Sequence, residues 1–387
     1  MTAGFLDLYD SYRDNRTVKT TIINAAEYGI QCAAARGAEA IRQGKLVAFP
    51  TETVYGVGVD AQNAQALDRL RELKSRPKRP FTVHMGQADD AFRYVREDDM
   101  PRPARNVISK GWPGPVTLLV KAGDALADTS LGDDMHHRLV YEGYIGLRCP
   151  DEPLAQAMLC TVEEVVVAPS ANLINQPAPH DAKQVLESLD GKIDLLIDSG
   201  TTRLSKESTI LRVDGNGWEI LRKGAVDRTT ISKMATTLIV FVCTGNTCRS
   251  PMAAGIARRM LADKSGCDVA QLQSRGYEVL SAGLFAPDGC PASPEAVDAA
   301  RAYNADISKH RSQRLTRELI NRADVIFCMT EIHAQQVKEL GGRHDVVHML
   351  DAARDISDPV GGCNQIYEES AKHISLAMRE VLKSRLL

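Results

Sequence analysis

The segment FVCTGNTCRSPMAAG, residues 241–255, sets two cysteines and an arginine in a Gly/Asn/Thr turn between an apolar run and a helical pattern. The residues leading into it, LIVFVC (238–243), are continuously apolar, the pattern of a parallel strand buried on both faces. A strand ending at Cys243, a loop TGNT and a helix beginning near Ser250 and Pro251 point successive backbone N–H groups into one concavity. The positive end of the helix dipole lies behind that concavity, so it suits an oxyanion. Cys243 at its floor is expected to act as a nucleophilic thiolate, the species favoured by a helix N-terminus and a nearby cation. Arg249 closes a Cys-x5-Arg spacing, and its planar fork matches two oxygens of a phosphoryl group. Thr244, Gly245, Asn246, Thr247 and Cys248 make the loop, with Asn246 and Ser250 supplying side-chain hydrogen bonds that hold it. A buried cysteine at a strand end beside a surface arginine is the commoner arrangement for a cysteine taken alone, but the whole string outweighs it.

Downstream, helical patterns separate the apolar runs YEVLSAG, ADVIFCM and DVVHML, which is the order of a doubly wound parallel sheet. Upstream, AVDRTTISKMATT (225–237) has no sustained period and few large apolar side chains, and is expected to be a linker between domains at 21–230 and 236–387. The stretch before it alternates helical patterns with LVAFP, VTLLV, IGLRC, VVVAPS, LLIDSG, STILRV and EILRKG, predicting an α/β domain with a mixed sheet. Residues 1 to about 20 are polar and expected to be a poorly ordered lead-in.

A chain of 387 residues exceeds the usual ceiling for one core, which agrees with two domains. Its 44% hydrophobic and 25% charged residues and net charge of -3 exclude a disordered chain or a nucleic-acid arm. No apolar run approaches the ~20 residues of a membrane helix. The start, MTAGFLDLYDSYRDNR, lacks the basic-then-apolar order of a signal peptide, so a cytoplasmic location without a membrane partner is expected. Nine cysteines without a CxxC pair point to reduced thiols rather than a disulfide framework or a zinc site.

A second unusual phrase, FPTETVYGVG (49–58), reads as a strand, a polar turn and a Gly-rich bend without a glycine-rich nucleotide fingerprint. LKSRPKRPFTVHM follows, with Lys74, Arg76, Lys78 and Arg79 close together. Such clusters are usually solvated, the expectation for Lys78 and Arg79, yet Pro77 and Pro80 stiffen the segment as a fixed anion site requires. In APSANLINQPAP, Ser170 and Asn172 occupy alternate positions after a buried strand and so face one side; SKESTILR adds Ser208 and Thr209. Cations and hydroxyls converging in this way suit a nucleotide-like polyanion.

The string VCTGNTCRSPMA resembles the phosphate loop of the low-molecular-weight protein-tyrosine-phosphatase family, over about residues 237–387. The resemblance implies a general acid in a late Asp-Pro segment, here Asp358 of ISDPVGG, which protonates the leaving group and then activates water against a cysteinyl-phosphate. No cofactor is implied. Val360 stands where family members carry an aromatic wall residue. Thr247 is similar to the bacterial protein-arginine phosphatases, where tyrosine-specific members carry a larger aliphatic residue. A threonine hydroxyl can meet a guanidinium N–H, and leaving such a group unpaired costs about 1–3 kcal/mol, which favours phosphoarginine over phosphotyrosine in a protein substrate. Arsenate reductases share the loop, but Cys328 is followed seven positions on by Gln335, not a resolving cysteine. Cys248 is a candidate for a reversible disulfide with Cys243.

PTETVYG, the K-x-R of Lys74 and Arg76, WPGPVTLLV, GLRCP, the S-x-N of Ser170 and Asn172, and ESTI resemble, in order, the YrdC-like threonylcarbamoyl-AMP synthases over about residues 30–226. The resemblance implies a twisted α/β sheet around a positive cavity, in which L-threonine, bicarbonate and ATP yield threonylcarbamoyl-AMP and pyrophosphate for tRNA modification. It implies that Lys74, Arg76, Ser170 and Asn172 hold the ATP phosphates, and that Arg148 pairs with the threonine carboxylate near Thr51, His84 and Ser208. Mg²⁺ is expected with the ATP, without a dedicated protein metal site. His84 taken alone reads as a satisfied core histidine. The rival reading is a catalytically idle RNA- or nucleotide-binding module that regulates the phosphatase, against which stand both K-x-R and S-x-N.

Overall fold

The computed structural model describes residues 19–76, 79–124, 126–215 and 217–384, so the polar lead-in up to residue 18, Pro77 and Lys78 lie outside the described residues. Backbone contacts separate two compact units, with the break between Met234 and Ala235. The segment expected to be a linker is instead helical over Arg228–Ala235. The Asp227 carboxylate opens that helix by accepting from the Thr230 N–H at 2.7 Å. Ile231 and Ala235 are fully buried. Ile231, Met234 and Ala235 make an apolar face of barely two turns, too short to register as a period among polar neighbours.

In the first unit every apolar run forms a strand: Val47–Phe49, Val116–Lys121, Tyr144–Arg148, Val166–Val167, Leu195–Asp198, Thr209–Asp214 and Gly217–Arg222. They belong to an 11-stranded mixed sheet, which also holds Thr21–Asn24, Gly56–Asp60, Val83–His84 and Val140–Tyr141. The last two are only two residues long, and Gly56–Asp60 carries glycines, which hides them from a periodicity reading. Gly58 is required there, because a Cβ would sit 2.8 Å from the Phe49 ring. Val47–Phe49 and Gly56–Asp60 pair antiparallel, leaving the turn 50–55 at the end of the sheet. Parallel pairing of Val83–His84 with the end of Tyr144–Arg148 sets His84 directly beside Arg148.

The second unit is a four-stranded parallel sheet in the order Tyr277–Gly283, Thr237–Cys243, Val325–Cys328, Val347–Met349, matching the four apolar runs. Every residue of Thr237–Cys243 is buried. Its alternate residues serve two cores: Ile239 and Phe241 pack with Met252, Ile256 and Ile374, and Leu238, Val240 and Val242 with Leu319, Ile320 and Val337. Because its two neighbours run off in opposite directions along the sheet, the loop after Cys243 opens at a topological switch point, where ligands of such sheets bind. Among the described residues no helix is long and apolar enough to cross a membrane. Phe241 stacks on Phe327 with ring centroids 5.7 Å apart. Phe241→Ala is therefore expected to lower the stability of this unit by about 3–5 kcal/mol, read as faster amide exchange along residues 238–243.

Candidate active sites

Cys243 ends its strand and Arg249 begins a 16-residue helix, Arg249–Lys264. The chain turns between them because Asn246 takes φ 53°, a left-handed value that Asn tolerates better than most residues. Asn246 Nδ2 then donates to Ser250 Oγ at 2.8 Å and to Ser281 Oγ at 2.9 Å, and its Oδ1 accepts from the Gln313 N–H at 2.9 Å. His310 braces the loop through Nε2 and the Asn246 carbonyl, 2.7 Å apart. Ser250 Oγ lies 3.0 Å from Cys243 Sγ and donates to the Ala282 carbonyl at 3.3 Å, so carbonyl and sulfur share the reach of its one proton. Held this way, the backbone N–H groups of residues 244–248 donate to no protein acceptor among the described residues. Free donors at a helix N-terminus form an anion nest.

Arg249 is 5% exposed; its Nη1 donates to the Ile356 carbonyl at 3.1 Å and its Nη2 to Asp358 Oδ2 at 2.5 Å. The Asp-Pro segment is thus brought over the loop, with Val360 67% exposed beside it. Thr247 is half-buried, and its hydroxyl has only a 3.6 Å contact with Cys248 Sγ. Thr244 Oγ1 meets His333 Nε2 at 2.9 Å, and Thr330 Oγ1 lies 2.9 Å from the other ring nitrogen. Burial, then the Arg249 charge, push the His333 pKa down to about 4, so this ring is neutral near pH 7.

The first unit holds a cavity of about 590 Å³. Lys74, Arg76, Arg79, Arg148, Arg212 and Arg222 line it, opposed by Glu142 and Glu207. Lys74 Nζ donates to the Ser170 carbonyl at 3.0 Å, the Asn172 carbonyl at 2.5 Å and Asn172 Oδ1 at 3.3 Å. Burial, then the Arg76 charge, lower its pKa to about 8. Ser170 Oγ donates to Asn172 Oδ1, and Asn172 Nδ2 donates to the Leu173 and Gln176 carbonyls. His84 is buried with Nδ1 3.1 Å from the Thr82 carbonyl, and burial followed by Arg148 pushes its pKa down to about 3. Nδ1–H donates to the carbonyl, leaving Nε2 an acceptor at the cavity wall. Ser208 Oγ sits 2.9 Å from Thr117 Oγ1 and accepts from Arg222 Nη2 at 3.1 Å.

Residues 39–224 match the family model described as "Telomere recombination" (Sua5/YciO/YrdC), and residues 238–386 match "Low molecular weight phosphotyrosine protein phosphatase". A "Putative threonylcarbamoyl-AMP synthase" of Mycobacterium tuberculosis is 33% identical over 196 residues, which are 50% of this chain and 85% of the relative. The chain belongs to the threonylcarbamoyl-AMP synthase family and carries a second, phosphatase-family domain. The "Threonylcarbamoyl-AMP synthase" of Pyrococcus abyssi is 34% identical over 220 residues, 56% of this chain but only 61% of the relative's length. The solved "Low Molecular Weight Protein Tyrosine Phosphatase from T. tengcongensis" is 33% identical, covering 38% of this chain and 99% of its own, with a TM-score of 0.34.

In the synthase-family unit, Lys74, Arg76, His84, Arg148, Ser170 and Ser208 line one cavity. Arg79, expected to be solvated, also lines it, 5.7 Å over the Tyr141 ring. Thr51 is buried behind the cavity, where its hydroxyl donates to the Val54 carbonyl at 2.6 Å and accepts from Arg148 Nη2 at 3.3 Å. Asn172 likewise acts from behind, through Lys74. The sequence reading missed Arg222, whose only signal was a cation at the end of the EILRKG strand, and Glu52, a carboxylate inside an apolar turn motif. Among the described residues no group of three or more His, Cys, Asp or Glu side chains is arranged to hold a metal ion.

In the phosphatase-family unit Asn246 is the tie of the loop. Asn246→Ala strands several buried partners and puts alanine in a left-handed conformation. It is expected to lose about 2–4 kcal/mol in urea unfolding of this unit, with Asn246→Gly less affected in its backbone share.

Proposed function

We propose that the chain is a bifunctional cytoplasmic enzyme. Its first unit condenses L-threonine, bicarbonate and ATP into threonylcarbamoyl-AMP, with release of pyrophosphate and water, and supplies the tRNA-modification machinery. Its second unit hydrolyses phosphorylated protein side chains, with phosphoarginine preferred. The synthase reading is carried by one cavity that combines cations for a triphosphate with a buried arginine for an amino-acid carboxylate. Lys74 and Arg76 take the phosphates, Ser170 and Asn172 secure Lys74, and Arg148 takes the carboxylate beside the neutral His84. Mg²⁺ fits as an ion brought by the ATP itself, with charge neutralisation of the phosphates as its contribution.

The phosphatase reading is carried by the free N–H groups of residues 244–248 around Cys243. Three phosphoryl oxygens lie in that nest and against Arg249 while Cys243 Sγ attacks phosphorus and the leaving-group bond breaks. Asp358 gives its proton to the leaving group, then takes one from the water that attacks the cysteinyl-phosphate. Thr247, with an underused hydroxyl at the mouth, is the group that meets a guanidinium N–H.

The deciding assay measures pyrophosphate release from ATP by the purified chain, with and without threonine and bicarbonate, beside hydrolysis of phosphoarginine and phosphotyrosine. Pyrophosphate release indifferent to threonine would remove the synthase reading. For the phosphatase, Thr247→Ile is expected to lower kcat/KM on phosphoarginine by about tenfold or more, equivalent to ~1.4 kcal/mol, and to leave phosphotyrosine turnover level or higher. An unchanged substrate ratio would replace phosphoarginine with phosphotyrosine.

A pH dependence follows from Lys74. Its folded pKa of about 8 lies below the ordinary lysine value of 10.5, so the cation is nearly complete near pH 7 and is lost as pH rises through about 8. Affinity for a non-hydrolysable ATP analogue is expected to fall by up to about tenfold between about pH 7 and pH 9. Lys74→Arg, which stays charged throughout, is expected to flatten that fall in calorimetric titrations.

A further inference from the structure

Arg148 reaches the cavity through a side chain only 7% exposed, backed by the wholly buried side chain of Glu52. Arg148 Nη2 donates to Glu52 Oε2 at 3.1 Å, Thr53 Oγ1 at 2.5 Å and Thr51 Oγ1 at 3.3 Å. All three acceptors come from consecutive residues of the turn 50–55, so the rear corner of the fork is saturated. Nη1 has no protein partner among the described residues, and Arg148 lines the cavity. The guanidinium is therefore clamped at one corner and open at the other. His84, paired with Arg148 across the strands and uncharged, adds no competing anion.

We propose that Glu52 is a positioning residue for the amino-acid carboxylate: it neutralises and orients Arg148 from behind, so that Nη1 presents to threonine in one fixed direction. The proposal rests on reading Arg148 as the carboxylate's partner and adds what makes that partner competent. A buried guanidinium without a counter-charge is strongly unfavourable, and Glu207 in the same cavity is already paired with Arg222. With Glu52 in place the pair is close to neutral, and a zwitterionic substrate enters without an excess of positive charge at that end. Oε1 of Glu52 and Nε of Arg148 are both buried without a protein partner, so the carboxylate makes its one strong bond to Nη2 alone. The clamp thus fixes direction more than it maximises contacts.

The test uses the full chain with Glu52→Gln, Thr53→Val and Arg148→Ala, and measures the half-saturating threonine concentration and the affinity for a non-hydrolysable ATP analogue. Glu52→Gln is expected to raise the threonine value by about tenfold, and Thr53→Val by about threefold, with the ATP-analogue affinity within about twofold of wild type. A merely structural role would weaken both ligands together. A wild-type threonine value in Glu52→Gln that still binds the analogue overturns the proposal. If Glu52→Gln loses the analogue as well, Thr53→Val decides, and an unchanged threonine value there overturns it. Arg148→Ala separates the two levels: wild-type threonine saturation in that variant would show that Arg148 itself has been misassigned.

Discussion

Both units face the same constraint: an arginine at the site is taken out of water and its charge has to be met there. Arg148 is 6% exposed and Arg249 5% exposed, and a buried guanidinium without a counter-charge is strongly unfavourable. Each is met by one carboxylate, Glu52 at 3.1 Å and Asp358 at 2.5 Å. The difference between the two carboxylates sets the difference between the sites. Glu52 is wholly buried in a turn between paired strands, so its ion pair is a fixture. Asp358 is half-exposed on a loop, so the arrival of a phosphoryl dianion can compete with it for Arg249. The first arrangement holds its arginine in one place, and the second leaves its carboxylate exchangeable; on the proposed phosphatase reading that exchange would free Asp358 for proton transfer.

What was legible in the sequence divides along the same line. The four strands of the second unit, seven of the first unit's strands and the loop after Cys243 follow from local patterns, because each is decided by neighbours a few positions away. The helix Arg228–Ala235 escaped because its buried face is only two turns long. Glu52 escaped for a deeper reason. Its partner Arg148 is 96 positions away, and nothing around PTETVYG marks which of its polar groups turns inward. Asp358 was named as an acid through family resemblance, and its ion pair with Arg249, 109 positions away, had no signal in the sequence. Asn246 was legible as a loop residue, yet its role as the tie to Ser281 and Gln313 depends on strands and turns that only the fold brings together.

The S-x-N pair shows how a residue can be right in place and different in work. Alternation put Ser170 and Asn172 on one side, and the structure agrees, but the acceptors they present to Lys74 are mainly backbone carbonyls. A lysine among arginines loses charge through burial and repulsion, which is the direction of its shift. Carbonyl dipoles hold it without cancelling its charge, as a carboxylate would. Of the cavity's two carboxylates, Glu207 is already paired with Arg222, so Lys74 keeps its charge for a ligand. On the proposed synthase reading, a triphosphate need not break an ion pair to reach Lys74; it would have only to outcompete neutral carbonyls for an ammonium. A phosphate beside Lys74 would offset the burial and the Arg76 repulsion that lower its pKa, so anion binding and lysine protonation favour one another.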